Sequence, residues 1–442
     1  MEIIVGSKLG LVGFPNSFIE ELKEICSGPN PEFGAYQLLI QKNRKLKWSL
    51  KKPDERIETW EYIGGLFCVP RGLLSYISTR YPFSSINSLL SSPTANYNFV
   101  GSFRLGQREA VEALEKYNFG CLAAATAFGK TFTALALSAK LGLKTLFIVN
   151  KSVLAEQTGK EVRKILGVEP GFIGAGKFII NDFTIATIQS LTKKDLKIIR
   201  NEFGIVFVDE AHHAASSTYR KVLGELNPHR MYGLSGSFNR TDKLDWVVEQ
   251  TIGPIVHTVN KQELIDNDVV LKPTIYFYDT QYKPSKNFDG FDLPAHIEDV
   301  CRDKKRNEYI LDRFKNSTGK RVLLSDRVWH VEELGKALGA TIYHSQLNKK
   351  DKERALEEIK DPNQMMTVAT YDAIGEGFDV PLWEELWLGT PFTSPIRTIQ
   401  TAGRVSRSAE GKTKCEVHDF IDIHDRLLVE KANKRKENYK LL

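Results

Sequence analysis

Cysteine is scarce and scattered in this chain. The five, Cys26, Cys68, Cys121, Cys301 and Cys415, are odd in number and form no C-x-x-C pair. That excludes a disulfide framework and a cysteine-rich zinc site, and it points to reduced thiols in a cytoplasm. Long apolar runs are lacking too. None reaches membrane-spanning length, so no membrane partner is expected. Met1 to Val5 reads as the start of a strand rather than a signal peptide. Short-period repeats and low-complexity tracts are also missing. Charge is close to balanced, with 61 Lys and Arg against 55 Asp and Glu, a net +6. This mild basic bias is compatible with a polyanionic partner and does not demand one.

What is there is a chain of 442 residues, 42% hydrophobic and 26% charged, the composition of a globular protein with two or more domains. Residues 1–95 read as a small α+β unit. Ile3 to Val12 predicts a strand or hairpin, and Asn16 or Ser17 a cap for a helix to Cys26. Leu38-Leu39-Ile40, Leu46 to Leu50, and Trp60 to Val69 read as further strands. Pro70-Arg71-Gly72 opens a helix through Ile77, and Ser84 to Asn98 reads as a linker. From about residue 96, short apolar runs alternate with amphipathic helices. That pattern predicts a parallel sheet with helices on both faces. It recurs from about residue 301. The expected boundaries are therefore 96–260 and 301–442, with a linker over 261–300 and a charged helix or tail, Lys431 to Lys440, at the end.

Ala124-Ala125-Thr126-Ala127-Phe128-Gly129-Lys130-Thr131 is a P-loop with Ala at its first Gly position. It lies between an apolar strand and a helix, where backbone N–H groups and the helix N-terminus face phosphates. Lys130 would neutralise phosphate charge, and Thr131 would place its hydroxyl on Mg²⁺. A chance G-K-T is the bland reading. Ile205 to Val208 is a second buried strand, and it runs into Asp209-Glu210-Ala211-His212. At the end of a strand expected beside the P-loop strand, Asp209 can reach Mg²⁺ and Glu210 can polarise water. Gln107, upstream, can pair with an adenine edge. Gln400, Arg404 and Arg407 lie at i, i+4 and i+7, on one face if the segment is helical, as arginine fingers or as a solvated basic face. Cys415, His418 and His424 lack an obvious fourth ligand for zinc.

The order of these motifs resembles superfamily 2 helicases in their DEAH form. The resemblance implies two tandem RecA-like parallel-sheet domains with a small N-terminal α+β domain, in a monomer that uses ATP and Mg²⁺ and places ATP between its two lobes. It implies catalytic roles for Lys130, Asp209, Glu210, Gln400, Arg404 and Arg407. It implies nucleotide contacts at Gln107, Thr126, Ala127, Phe128, Gly129, Lys130, Thr131, Gly377 and Asp379. Ser235-Gly236-Ser237 resembles the motif that couples the nucleotide to the nucleic-acid track, and Arg240 and Asp242 follow it as in several DNA translocases. Family positions imply DNA contacts at Lys151, Ser152, Gly176, Lys177, Thr187, Gln189, Ser325, His344 and Thr370. The N-terminal stretch Gly65 to Leu73, with its Pro70-Arg71-Gly72-Leu73 signature, is similar to phage UvsW-type helicases. The basic run with Lys42, Arg44, Lys45 and Lys47 suits duplex arms of forks or junctions. The expected function is ATP-driven DNA unwinding or translocation, with branch migration or fork regression as the finer reading. The alternatives are a duplex translocase that separates no strands, an RNA helicase, and a passive scaffold.

Overall fold

The computed structural model describes residues 1–442 except 43–50, 126–127, 239, 241, 260, 268–269, 289–291, 375–379, 381, 393–401, 404, 407–410, 413 and 441–442, and only the backbone of Lys42 and Lys261. It divides into two units. One comprises residues 1–124 and 130–259, the other 125–129 and 260–442.

The N-terminal strands are β1 (Glu2–Val5), β2 (Leu9–Val12), β3 (Ser27–Pro29), β4 (Arg56–Glu58), β5 (Glu61–Ile63), β6 (Leu66–Val69) and β7 (Ser85–Ser88). Five of them form a sheet in the order β5-β6-β2-β1-β7, and β3 pairs only with β4. Helix α1 (Asn16–Ile25) lays Phe18 and Leu22 on the small core with Ile3, Leu9 and Leu11. It has no side-chain cap, because Pro15 takes the cap position. Helix α2 (Pro31–Lys42) contains Leu38-Leu39-Ile40, which is therefore not a strand. Trp60 to Val69 is likewise not one strand. Gly64 and Gly65 take positive φ (57° and 82°) and turn it into the β5–β6 hairpin, which non-glycine residues resist. Ser84 to Asn98 is more than a linker. β7 pairs in parallel with β1, and Tyr97 Oη donates to Leu143 O and Asp182 O.

The large sheet of the same unit comprises β8 (Phe119–Ala123), β9 (Thr145–Val149), β10 (Gly171–Gly174), β11 (Lys177–Ile179), β12 (Phe183–Thr187), β13 (Ile205–Asp209), β14 (Arg230–Ser235) and β15 (Ile255–Thr258). Their order is β11-β10-β12-β9-β13-β14-β8-β15. Only the β10–β11 edge pair is antiparallel. Thr145 to Val149 and Ile205 to Val208 are fully buried along their length. Apolar, β-branched runs suit strands covered on both faces.

The second unit carries β16 (Thr274–Thr280), β17 (Arg321–Ser325), β18 (Thr341–Tyr343), β19 (Met366–Thr370), β20 (Glu385–Leu388) and β21 (Glu416–Asp422). They are all parallel, in the order β16-β21-β20-β17-β19-β18. β16 lies in the span expected to be a linker; its pairing with β21 makes it part of the sheet. Of the two readings of the charged C-terminal segment, helix or tail, the structure has the helix. Helix Arg426–Tyr439 buries Arg435 in a two-bond pair with Asp419, at 2.8 Å each.

The small N-terminal sheet is latched to the large one by the Pro70-Arg71-Gly72-Leu73 signature. The Arg71 guanidinium is buried, with Nη2 2.9 Å from Ser7 O, 3.2 Å from Leu223 O and 2.7 Å from Leu226 O. A Cβ on Gly72 would stand 2.1 Å from Glu249 O, so only glycine permits this approach. Gln250 completes the joint, accepting from Thr59 Oγ1 at 2.7 Å and donating to Ile25 O at 2.9 Å. Arg71→Ala leaves these carbonyls buried without their donor and opens a void, so we expect a loss of about 3–5 kcal/mol. Urea denaturation checks this: the midpoint for the first unit should fall, and an unchanged midpoint would show that the latch is dispensable.

Candidate nucleotide site and nucleic-acid track

Parallel strands end on a common edge, and in an open α/β sheet that edge is where ligands bind. In the first unit it is laid out in order. Gly174 ends β10, Thr187 ends β12, Asn150 and Lys151 follow β9, Asp209 ends β13, Ser235 ends β14, and Ala123 leads into the P-loop from β8. Asp209 is in register with Leu234, and Ser235 with Ala123. The acidic strand therefore does not lie beside the P-loop strand, as the sequence suggested. β14 runs between them, which separates β13 from β8 by about 9–10 Å. The strand carrying Ser235 is thus the neighbour of both chemical motifs.

At the P-loop, Gly129 takes φ 94°, and helix α3 (Leu74–Arg80), helix α4 (Gln107–Glu115) and helix α5 (Lys130–Leu141) follow one another along the chain. Helix α5 begins at Lys130, one residue before the expected start. Lys130 Nζ donates to Ala124 O at 3.2 Å, which holds the ammonium over the loop it is to neutralise. Thr131 stands in the first turn. Thr126 and Ala127 lie outside the described residues, as do Gly377, Asp379, Gln400, Arg404 and Arg407.

Glu210 adopts left-handed backbone geometry, φ 48° and ψ 52°. For a residue with a Cβ this costs on the order of 1 kcal/mol or more. The strain turns the chain sharply from β13 into the 3₁₀ turn Ala211–Ala215. His212 and His213 lie in that turn with their rings 4.2 Å apart. His212 is buried. Ser235 Oγ donates to Ser237 O at 2.7 Å and accepts from His212 Nδ1–H at 3.0 Å. Arg240 donates to His212 O and pairs with Asp242, Nε to Oδ1, at 2.8 Å. Burial alone would raise the Asp242 carboxyl, but Arg240 and the Leu244 N–H outweigh it and hold it below the usual range. The acidic turn, the end of β14 and Arg240 are thus one hydrogen-bonded assembly. It was invisible as an assembly in the sequence, since its contacts span 23 and 28 residues.

Gln107 is buried at the start of α4, not exposed, and its Oε1 accepts from Arg104 N at 2.9 Å. Beside it in sequence, Phe99, Phe103 and Phe132 pack together, with centroids 5.6–6.0 Å apart. Arg108 covers Phe103 at 4.7 Å. This aromatic cluster was missed in the sequence, where the three phenylalanines share no period.

The other half of the edge gathers the expected track residues of the first unit. Helix α6 (Ser152–Leu166) starts there with Lys151 at its cap. Gln189 Nε2 donates to Asn150 O at 3.0 Å. Thr187 Oγ1 donates to Ser190 Oγ at 2.8 Å, and a Cβ on Gly174 would lie 3.3 Å from Thr187 Oγ1. Gly176, at φ 81°, and exposed Lys177 form the adjoining hairpin. In the second unit, Ser325, Thr370 and His344 stand at the ends of three adjacent strands, β17, β19 and β18. Ser325 Oγ joins His330 Nδ1 at 2.9 Å. Thr370 Oγ1 is buried with no hydrogen-bond partner among the described residues, and His344 Nε2 lies 3.4 Å from Glu332 Oε1.

Cys415, His418 and His424 have separate partners: Ser406, Tyr278 and Gln281. Among the described residues Glu385, Glu416 and His418 come close together, but Lys414 Nζ sits 2.7 Å from Glu385 Oε1 and supplies the positive charge there.

Residues 101–240 match the family described as Type III restriction enzyme, res subunit, and residues 306–409 match the helicase conserved C-terminal domain. The chain belongs to the superfamily 2 helicases, ATP-driven enzymes built on two RecA-like domains. Probable helicase D10 of Escherichia phage T5 is 28% identical over 72% of this chain and 71% of that protein. Among solved structures, S. cerevisiae Dbp5 bound to RNA and ADP BeF3 is similar at TM-score 0.55 and 15% identity, over 76% of this chain and 87% of that one. T4 UvsW matches over 100% of this chain and 97% of its own at TM-score 0.44 and 19% identity.

Two substitutions test the site assignment. Lys130→Ala should abolish ATP turnover and leave nucleic-acid binding largely intact, because the track residues occupy the other half of the edge. Glu210→Gln keeps the shape and loses the base, so it should bind ATP, turn over at least about 10²-fold more slowly, and hold nucleic acid more tightly with ATP than without. Steady-state hydrolysis and equilibrium binding check both; near-parental turnover in Lys130→Ala would remove the P-loop assignment.

Proposed function

We propose that this enzyme is an ATP-dependent DNA helicase that remodels forked or branched DNA. The observation that carries this reading is the β3–β4 pair of the first unit, whose Ile57 packs into the large-sheet core. In the sequence between those two strands lie α2 and the basic residues Lys42, Arg44, Lys45 and Lys47. Lys42 ends α2; the side chain of Lys42 and the other three residues lie outside the described part. A core track alone grips one strand. A second set of basic residues, in a segment that starts and ends on this anchored pair, suits the phosphates of a duplex arm.

The residues present fit ATP with Mg²⁺. Thr131 and Asp209 offer the hard oxygen donors that Mg²⁺ prefers, and Lys130 is held over the phosphate loop. When bound, ATP supplies the free energy for movement. Glu210 orients and polarises the attacking water. Arg404 and Arg407 supply positive charge to the developing phosphoryl. The His212–Ser235–Arg240 assembly carries the state of the acidic turn to the loop after β14. The buried Thr370 hydroxyl, at the end of β19, can take a polar ligand on the second unit, and a phosphate backbone provides one.

The second reading is a duplex-DNA translocase without strand separation, favoured by the match to the restriction-enzyme family over residues 101–240. Arg404→Ala and Arg407→Ala should each lower hydrolysis by on the order of 10³-fold with little change in nucleotide affinity. Nucleotide titration against turnover checks this, and a fall in affinity alone would make the pair a ground-state clamp.

Deleting residues 1–95 is not a clean test, since Arg71, Thr59 and Ile57 cover the large-sheet unit. The full-length chain with Lys42, Arg44, Lys45 and Lys47 changed to Gln is. Its binding to forked DNA should weaken, and the log–log salt slope should flatten by roughly one for each phosphate no longer neutralised. Unchanged fork binding and slope would reduce the basic run to a solvated face.

A further inference from the structure

The helix Asp245–Thr251 follows the loop that ends β14. It packs on the 3₁₀ turn Ala211–Ala215 and also on the turn Arg71–Leu73 that follows β6. The two contacts use different residues. On the first side Val247, Val248 and, just past the helix, Ile252 share one buried apolar cluster with Ala211, Ala214 and Ala215. On the second side Gly72 approaches the Glu249 carbonyl, and Gly28 lies against the Trp246 ring, where a Cβ would stand at 2.7 Å. The Gln250 amide bridges Thr59 Oγ1 and Ile25 O there.

The start of the helix is tied to the acidic turn by polar bonds as well. Asp245 Oδ1 accepts from Arg240 N at 2.7 Å, and the Arg240 side chain donates to His212 O. Asp242, the ion-pair partner of Arg240, accepts from Leu244 N at 3.2 Å. Nothing in between gives slack. A Cβ on Gly233, in β14, would stand 2.8 Å from Ala211 Cβ and 3.2 Å from Ile252 Cδ1. A close-packed interior transmits displacement, because no void absorbs it. Gln250 is buried, and a buried amide is costly unless paired. The bonds it makes reach N-terminal residues, so the helix is correctly seated only when those residues are in place.

We propose that Gln250 is a positioning residue for ATP hydrolysis: through the helix Asp245–Thr251, the N-terminal sheet sets the geometry of the acidic turn. This rests on the assignment of Glu210 as the group that activates water. Gln250 acts through Arg240 and the turn Ala211–Ala215. A ligand that shifts the N-terminal sheet then alters turnover without touching the nucleotide.

The test is full-length Gln250→Leu, which keeps a similar volume and loses both hydrogen bonds. Leu11→Ala is the control: it loosens the small core and lies outside the cluster that holds the helix. Two quantities are measured. One is steady-state hydrolysis, with kcat separated from ATP affinity. The other is hydrogen exchange at the His213 and Ser216 amides, which donate to Glu210 O at 2.9 Å and His213 O at 3.0 Å. Gln250→Leu should lower kcat about tenfold or more, since small misplacements at a reacting centre are costly. ATP affinity should stay within about twofold, and both amides should exchange faster. Leu11→Ala should keep kcat within about twofold and leave that exchange unchanged, even where its urea midpoint falls further. Parental kcat in folded Gln250→Leu, or a lowered kcat with unchanged exchange, would overturn the proposal. So would Leu11→Ala reproducing both effects, because general loosening would then explain them. Should Gln250→Leu fail to fold, Thr59→Val removes only the hydroxyl on the N-terminal side and is read by the same criteria. Parental turnover in Glu210→Gln would instead remove the catalytic assignment, and the exchange result stands apart from that outcome.

Discussion

Parallel pairing of β9, β13, β14 and β8 sends those strands of the first unit toward the same edge, and each must end there in a loop whose backbone groups find new partners. The rest of the site depends on that constraint. Apolar runs buried on both faces hold the strands in one register. Asp209, Ser235 and Ala123 therefore arrive within one residue of the same level. The turn after β13 carries backbone strain: Glu210 holds a left-handed conformation that a residue with a Cβ does not choose freely. His212, Ser235 and Arg240 then tie that turn to the next strand, so a change at the acidic turn has a physical route to the loop beyond β14.

The N-terminal sheet shows a different use of polar burial. Arg71 is costly to desolvate and repays the cost only through its carbonyl partners. Such a joint is specific rather than merely strong, because a sheet rotated out of place would leave the guanidinium unpaired. Gly72 and Gln250 add shape and hydrogen bonding to the same joint. The β3–β4 pair, flanked by Ile25 and Thr59, is therefore held against the large-sheet part of the same unit.

Much of this was legible in the sequence. The alternation of buried runs and helices foretold both parallel sheets, because strands covered on two faces must be apolar throughout. The P-loop and Asp209-Glu210 were legible because local order alone encodes strand, loop and helix start. What was not legible is what long-range pairing decides. β14 lies between β8 and β13, and strand order leaves no local mark. Ser85 to Ser88 has a linker's composition yet pairs with β1 across about 80 residues. Leu38-Leu39-Ile40 resembles a strand because its apolar residues are consecutive. It is a helix none of whose described residues is buried, and its apolar residues follow no amphipathic period. The Pro70-Arg71-Gly72-Leu73 signature was read with the DNA-binding unit, and its arginine is an internal latch.

The central claim is that ATP turnover at the β8–β13 edge is coupled to opening branched DNA held by the N-terminal part of the chain. Strand displacement measured on matched single-strand-tailed forks, four-way junctions, blunt duplexes and an RNA fork, with ATP and with a non-hydrolysable analogue, tests it most directly. The account predicts ATP-dependent opening of the DNA forks and junctions in preference to the others. ATP-driven opening of the RNA fork alone, or triplex displacement from duplex DNA with no strand separation on any fork, would contradict it.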